Sequence, residues 1–376
     1  MADQLFFLLL SICLFYGFAR ANGTLDAIAL RFVYVTRRRP YLIPIALFLV
    51  CFCIAVIGPG APAVFAFMPP FVMSVAAETR MRPLLGTVII ASGANAGAWS
   101  PIAVNGIITR QIIELAGYGS QAAHLSMGVW FNIATSHIAW FVAAYFILGG
   151  YKIGAMKMKP PAPFTRHQKI NLALIGFVLA CVIIPVVLKS ALPCLIARVA
   201  GLMDVTLLSF IGIILALTFK IGDEKQALAQ VPWTTIILMC GFGILIEIAV
   251  QAGTVKLLAT SIGNSVSGSV LPYAMGVVGF LMCFFSSLLG VVLPTMYPLV
   301  PGLLMKAGQT NPVLLFSIIA IGACASGCSP FSTAGALAIT GLKEDRDRQK
   351  LFKELLYSPL LFLAFFLCGL AVRIMI

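Results

Sequence analysis

Apolar runs recur along the whole chain, separated by short breaks that are basic, polar or rich in Pro and Gly. A helix needs about 20 apolar residues to cross the hydrocarbon of a bilayer, and most of these runs approach that length. The pattern predicts a first span over 4–20 and an amphipathic arm over 24–36 that ends in Arg37-Arg38-Arg39. Two apolar pieces, 41–57 and 61–77, flank Gly58-Pro59-Gly60. A long segment over 83–116 is interrupted around 93–101, and a span follows over 125–149. A basic, Pro-containing connector (152–169) leads to uninterrupted spans over 170–189 and 202–220. Then come 231–250, an arm at 253–264, apolar pieces at 271–286 and 290–305, an interrupted segment over 312–341 and a final span over 355–374.

The order of elements repeats. An offset of 229 residues, the distance from Ser100 to Ser329, lays Ala91–Pro101 on Ala320–Pro330 and makes identical pairs of Gly93/Gly322, Ala94/Ala323, Ala96/Ala325, Ser100/Ser329, Pro101/Pro330 and Gly106/Gly335. It also pairs Pro69 with Pro298. A bias toward Gly and Ala explains single matches, but not the preserved order of span, arm, hairpin, broken helix and span. The chain is therefore expected to divide into a first repeat (1–150), a connector with two scaffold helices (151–230) and a second repeat (231–376).

Composition narrows the class. Of the 376 residues, 61% are hydrophobic and 10% charged, where a soluble domain carries roughly a quarter charged. The expected fold class is an all-α polytopic membrane protein. The net charge of +13 does not call for nucleic acid, because the cations sit in short loops, as the positive-inside bias requires. Cys13, Cys51, Cys53, Cys181, Cys240, Cys283 and Cys368 lie inside apolar runs and read as small hydrophobes. Cys324 and Cys328 have no His or acid nearby in sequence to complete a metal site. No basic stretch, short apolar core and cleavage site mark a signal peptide.

Charge also orients the halves. If 41–77 is a re-entrant hairpin with Gly58-Pro59-Gly60 at its tip, both its ends carry arginine (37–39, 80 and 82) and face the cytoplasm. Tracing onward leaves most of the 25 Lys and Arg inside, and the second hairpin opens outward. The repeat is then inverted, in a multi-pass protein of the cell inner membrane.

Candidate chemistry sits at the breaks. Proline cannot continue a helix but suits the first position of a new one, with Ser before it as N-cap. Ser100-Pro101 and Ser329-Pro330 are accordingly expected to start second half-helices at membrane depth. Irregular backbone there is tolerated where it lines a cavity, and matched breaks in two halves point to a transport site. Helices restarting after the tips at Gly58-Pro59-Gly60 and Ser286-Ser287 bring four half-helix N-termini to one place. Each offers free N–H groups and about half a positive charge to an anion. Expected substrate contacts are Gly58, Pro59, Gly60, Asn95, Ser100, Pro101, Ser286, Ser287, Ser329, Pro330, Ser332 and Thr333. Asn105, Ser100 and Thr333 are the expected ion contacts. Packing and the satisfaction of freed backbone groups are the competing roles for these side chains.

The remaining ionisable residues are weaker candidates. Glu247 lies near the outer end of its span, where snorkelling or pairing competes with function. Arg110 and Glu114, spaced i,i+4, are expected to pair, and His124 and His137 are read as polar packing. A membrane metalloprotease needs His-Glu-x-x-His, which His124, His137 and His167 do not form, and Asp204 lacks a partner for an aspartyl dyad. An enzyme is therefore not expected.

At Gly93–Gly106 and at Asn22-Gly-Thr-Leu-Asp26 the chain resembles the malonate/dicarboxylate carrier family. That family is a branch of the ion-transporter superfamily of divalent anion/sodium symporters and arsenite permeases. The resemblance implies an elevator-type carrier, commonly a homodimer, that moves a dicarboxylate by symport with Na+ or H+ and has no other cofactor. The alternative it leaves open is export of another anion, such as arsenite or a sulfonate, through the same architecture. Sodium-coupled members carry Ser-Asn-Thr at the hairpin tips, which this chain lacks, so the coupling ion stays open. The first repeat also lacks the two scaffold spans that precede the second, and the alternatives are a truncated gene and a true variant.

Overall fold

A computed structural model describes residues 2–36, 39–58, 60–154, 160–188, 205–229, scattered positions between 231 and 253, 269–307, 311–342 and 344–371. All the regular elements among them are helical. The first part contains α1 (Ala2–Ala21), α2 (Thr24–Thr36), α3 (Ile43–Ile57), α4 (Gly60–Thr79), α5 (Pro83–Ala98), α6 (Val104–Ile113) and α7 (Ala122–Ile147). Next come α8 (Arg166–Leu188), α9 (Val205–Thr218) and the short α10 (Glu224–Ala229). The last part holds α11 (Leu271–Phe285), then a helical run α12 made of Leu288–Val292, Leu293–Met296, Tyr297–Leu299 and Val300–Ala307. It closes with α13 (Pro312–Ala325), α14 (Thr333–Thr340) and α15 (Asp345–Ala371).

Five described stretches are long and apolar enough to cross a membrane: Pro40–Ile57, Val104–Ile147, Leu288–Met305, Pro312–Ile339 and Asp345–Leu370. With the apolar composition of the whole chain, they make it a multi-pass membrane protein.

The expected elements recur at the expected offset. Helices α5 and α13 start at Pro83 and Pro312, and α6 and α14 start at Val104 and Thr333; both pairs are 229 residues apart. Packing recurs with them, since α3 lies against α5 as α11 lies against α13. Both contacts are close backbone approaches. A methyl added at Gly97 would overlap the Phe52 carbonyl of α3, and one at Gly322 would overlap the Gly276 carbonyl of α11. Without water to drive association, membrane helices gain most from such small-residue contacts. Helix α7 packs on both α5 and α13 and so ties the two broken helices together. The first span, α1, packs instead on α9 and α10.

Two boundaries differ from expectation. The final helix starts at Asp345, ten residues before the predicted 355. Asp345 and Asp347 occupy its first turn, where carboxylates complement the N-terminal dipole, and Leu351 and Leu355 are already buried. The first break falls at 99–103, at the end of the predicted interval. The 231–250 span, Glu247 and the arm at 253–264 lie almost wholly outside the described residues.

Candidate anion site at the two helix breaks

The two breaks are the same turn built twice. After α5, the Ser100 N–H donates to Gly97 O (3.1 Å), Ala103 N–H to Ser100 O (3.0 Å) and Ile107 N–H to Ala103 O (3.0 Å). After α13, Ser329 N–H donates to Ser326 O (2.8 Å), Ser332 N–H to Ser329 O (3.1 Å) and Ala336 N–H to Ser332 O (2.9 Å). Every bond is matched at the 229-residue offset. The expectation that Ser100 and Ser329 cap the new helices is therefore corrected. Each Ser-Pro opens a four-residue turn with Pro second, a position its fixed φ suits, and the helix begins three residues later.

The actual caps are Ala103, which makes no side-chain cap, and Ser332, whose Oγ accepts from Gly335 N–H (3.1 Å). Tertiary contacts favour the turn. Ser100 Oγ donates across to Val56 O at the end of α3 (2.9 Å). Gly106 and Gly335 let the Ser100 and Ser329 carbonyls rest against α6 and α14, where a methyl at either glycine would overlap that oxygen.

A broken helix frees carbonyls, and these are satisfied from neighbouring elements. Trp130 Nε1 on α7 donates to Ala96 O (2.9 Å), and Ser358 Oγ on α15 reaches Cys328 O (3.4 Å). At the first hairpin tip, Val56 O accepts from Ser100, Ile57 O from the Tyr16 hydroxyl and Gly58 O from Val104 N–H. Gly58, at φ 152°, also has no room for a side chain, because the Tyr16 ring packs against it.

Between the breaks and the tips lies a cavity of about 490 Å³, within the usual size range of small-molecule sites. It is lined at the first turns of α4 (Ala61, Pro62) and α6 (Asn105), at the start of α12 (Ser287, Leu288) and at the start of α14 (Ser332, Thr333). Four helical starts thus share one cavity, and among the described residues its lining includes no Lys, Arg, His, Asp or Glu. Two carboxamides face it, Asn95 from α5 at 3% exposure and Asn105 at 2%. The Asn105 Oδ1 is buried without a hydrogen-bond partner among the described residues.

The lining hydroxyls divide by where their protons go. Ser286 donates to Met282 O (2.6 Å), Ser326 to Ala323 O (2.8 Å) and Ser332 to Ser329 O (2.7 Å). Those protons are used within the backbone. Ser287 Oγ accepts from Gly290 N–H (3.1 Å) and Ser329 Oγ accepts from Ser332 N–H (3.1 Å). An oxygen that accepts keeps its own O–H to donate, so Ser287 and Ser329 present donors to a ligand.

Of the sequence-predicted residues, the cavity brings together Asn95, Asn105, Ser286, Ser287, Ser329, Ser332 and Thr333. Gly58, Gly60, Ser100, Pro101 and Pro330 are not among its lining, and Pro59 lies outside the described residues. Gly60 stands behind Asn105, whose Oδ1 would lie 3.2 Å from a methyl there, and Pro101 is exposed. Phe65, Cys283, Phe284, Ser326 and Phe331 line the cavity without having been singled out. Phe65 was legible in part, because it is one helical turn beyond Ala61. Away from the cavity, Arg110 and Glu114 pair as the spacing predicts (2.9 Å). His137 is buried, with Nδ1 on Ile133 O (2.9 Å) and its ring against Phe362.

Residues 1–98 match the family model described as Dicarboxylate carrier protein MatC N-terminus. The matched stretch runs from α1 to the end of α5 and contains Tyr16, the first hairpin tip and Asn95. Among curated proteins, no match to the chain was found.

Proposed function

We propose that the protein is a secondary active transporter that carries a small dicarboxylate anion, of the size of malonate or succinate, across the cell inner membrane in symport with Na+ or H+. The observation that carries this reading is the cavity at four helical starts, with two buried carboxamides and two free hydroxyl donors but no ionised side chain among the described residues of its lining. Each helix start offers an anion roughly 0.3–1 kcal/mol of favourable interaction. A lysine at mid-membrane would instead cost about 2.5–3.5 kcal/mol. The likeness of residues 1–98 to the N-terminus of a dicarboxylate carrier supports the same substrate class.

In this reading the carboxylate oxygens accept from Ser287, Ser329 and Thr333 hydroxyls, from the amides of Asn95 and Asn105 and from first-turn N–H groups. The unpaired Asn105 Oδ1 is the acceptor available to a coupling cation, beside Thr333. Ser100 supports the site by holding the end of α3. The halves 1–150 and 231–376 are inverted relative to each other, with 151–230 between them as connector and scaffold, and transport proceeds by an elevator movement within a homodimer. Matched helix breaks and the arginines flanking 41–77 support that arrangement.

The test is uptake of labelled malonate and succinate into proteoliposomes, with Na+ replaced by choline and with an imposed pH gradient in separate arms. Saturable uptake that depends on one of the two cations is expected. Absence of saturable uptake of either diacid rejects the reading, and uptake of arsenite or a sulfonate alone would replace it.

A further inference from the structure

The cavity has an aromatic wall that the repeated fold does not require. Phe331 is the third residue of the second break turn, between Pro330 and Ser332, and is 65% exposed. Its counterpart 229 residues earlier is Ile102, in a turn with the same backbone hydrogen bonds. Phe284, near the end of α11, corresponds to the buried Ala55. The two rings meet edge-on at 5.9 Å, and Phe331 meets Phe352 of α15 edge-on at 6.2 Å. Phe65 of α4 also lines the cavity. Phe65, Phe284 and Phe331 line the same cavity as Ser329, whose O–H is free to donate, so an apolar surface and the anion donors face one space.

We propose that the substrate class is a dicarboxylate whose carbon chain bears an apolar branch or ring, with Phe331 and Phe284 as the residues that select it. This rests on the dicarboxylate reading above and deepens it. The carboxylates occupy the hydroxyl and N–H groups, and the substituent lies edge-on to Phe284 and Phe331, the geometry aromatic groups prefer. The cavity volume of about 490 Å³ leaves room for that substituent, since sites of roughly 300–1,000 Å³ enclose ligands much larger than a three-carbon diacid.

The experiment is titration of the full chain in detergent with succinate, phenylsuccinate and the monoacid phenylpropionate, read by calorimetry with a thermal-shift control for folding. Phenylsuccinate is expected to bind on the order of tenfold more tightly than succinate, the gain from burying part of one ring, and phenylpropionate more weakly than either diacid. Phe331→Ala should bring the phenylsuccinate-to-succinate ratio toward one, and Phe331→Leu should leave it between the two. If succinate binds and phenylsuccinate binds no better, the aromatic selection is overturned while the dicarboxylate reading stands. If the ratio survives both Phe331→Ala and Phe284→Ala, the assignment to these rings is overturned. If no diacid binds, both readings fall. Should an alanine variant give no melting transition, Phe331→Leu decides the assignment, and a phenylsuccinate-to-succinate ratio there equal to the wild-type value overturns it.

Discussion

At the scale of single residues, the cavity separates serines that look alike in the sequence. Ser287 and Ser329 accept a backbone N–H and keep a proton to give; Ser286 and Ser326 have given theirs to carbonyls. A hydrogen bond to a charged ligand is worth about 1.5–3 kcal/mol. Ser287→Ala and Ser329→Ala should therefore each weaken dicarboxylate affinity by roughly 10- to 150-fold. Ser286→Ala and Ser326→Ala should move it by no more than about twofold. Equal losses in all four variants, measured by titration, would mean that the hydroxyl protons do not sort the site. Asn95 and Asn105 were legible because buried amides beside a helix break stand out in an apolar run. Phe284 and Phe331 were not, because nothing in an apolar sequence tells which of many phenylalanines faces a polar cavity.

At the scale of elements, the sequence announced the helices well and their joints less well. The arm over 24–36 has the expected limits, since Gly23 and the arginine run bracket it. Ser-Pro was misread because the same dipeptide starts a helix or a turn. The choice is made by Val56 O and by Gly106 and Gly335, which are distant from the dipeptide or lie beyond the turn. Those glycines give a direct test. Gly106→Ala or Gly335→Ala forces a methyl onto a turn carbonyl, and overpacking of this kind costs about 1–3 kcal/mol. A lower melting temperature is expected in both, together with lost affinity; unchanged melting would show that the turn relaxes easily. Tyr16 joins α1 to the hairpin tip in the same way. Tyr16→Phe strips the part-buried Ile57 O of its donor, a loss of roughly 0.5–1.5 kcal/mol. If α1 belongs to the scaffold and the tip moves, that variant should alter kcat more than KM for uptake. A change confined to KM would assign Tyr16 to substrate binding instead.

At the scale of the whole molecule, the proposed inverted arrangement makes a labelling prediction. The traced topology puts the exposed Ser120, between α6 and α7, outside and Asp345, at the start of α15, inside. In a cysteine-free background, Ser120→Cys should react with an impermeant maleimide in intact cells, and Asp345→Cys only after permeabilisation. The reverse pattern would invert the topology, and reaction of both in intact cells would break the repeat symmetry. The described residues of the cavity lining include no ionised side chain, which has an electrical consequence. If transport follows the proposed elevator movement, that lining adds no full side-chain charge to an empty return stroke, and the partial charges of the four helix starts are what the membrane potential acts on there. A loaded stroke adds its cargo, at about 2.3 kcal/mol per net charge per 100 mV. Because the protein's own charges return to their start in each cycle, steady-state current per transported diacid, with the diacid's two negative charges added back, counts the coupling cations.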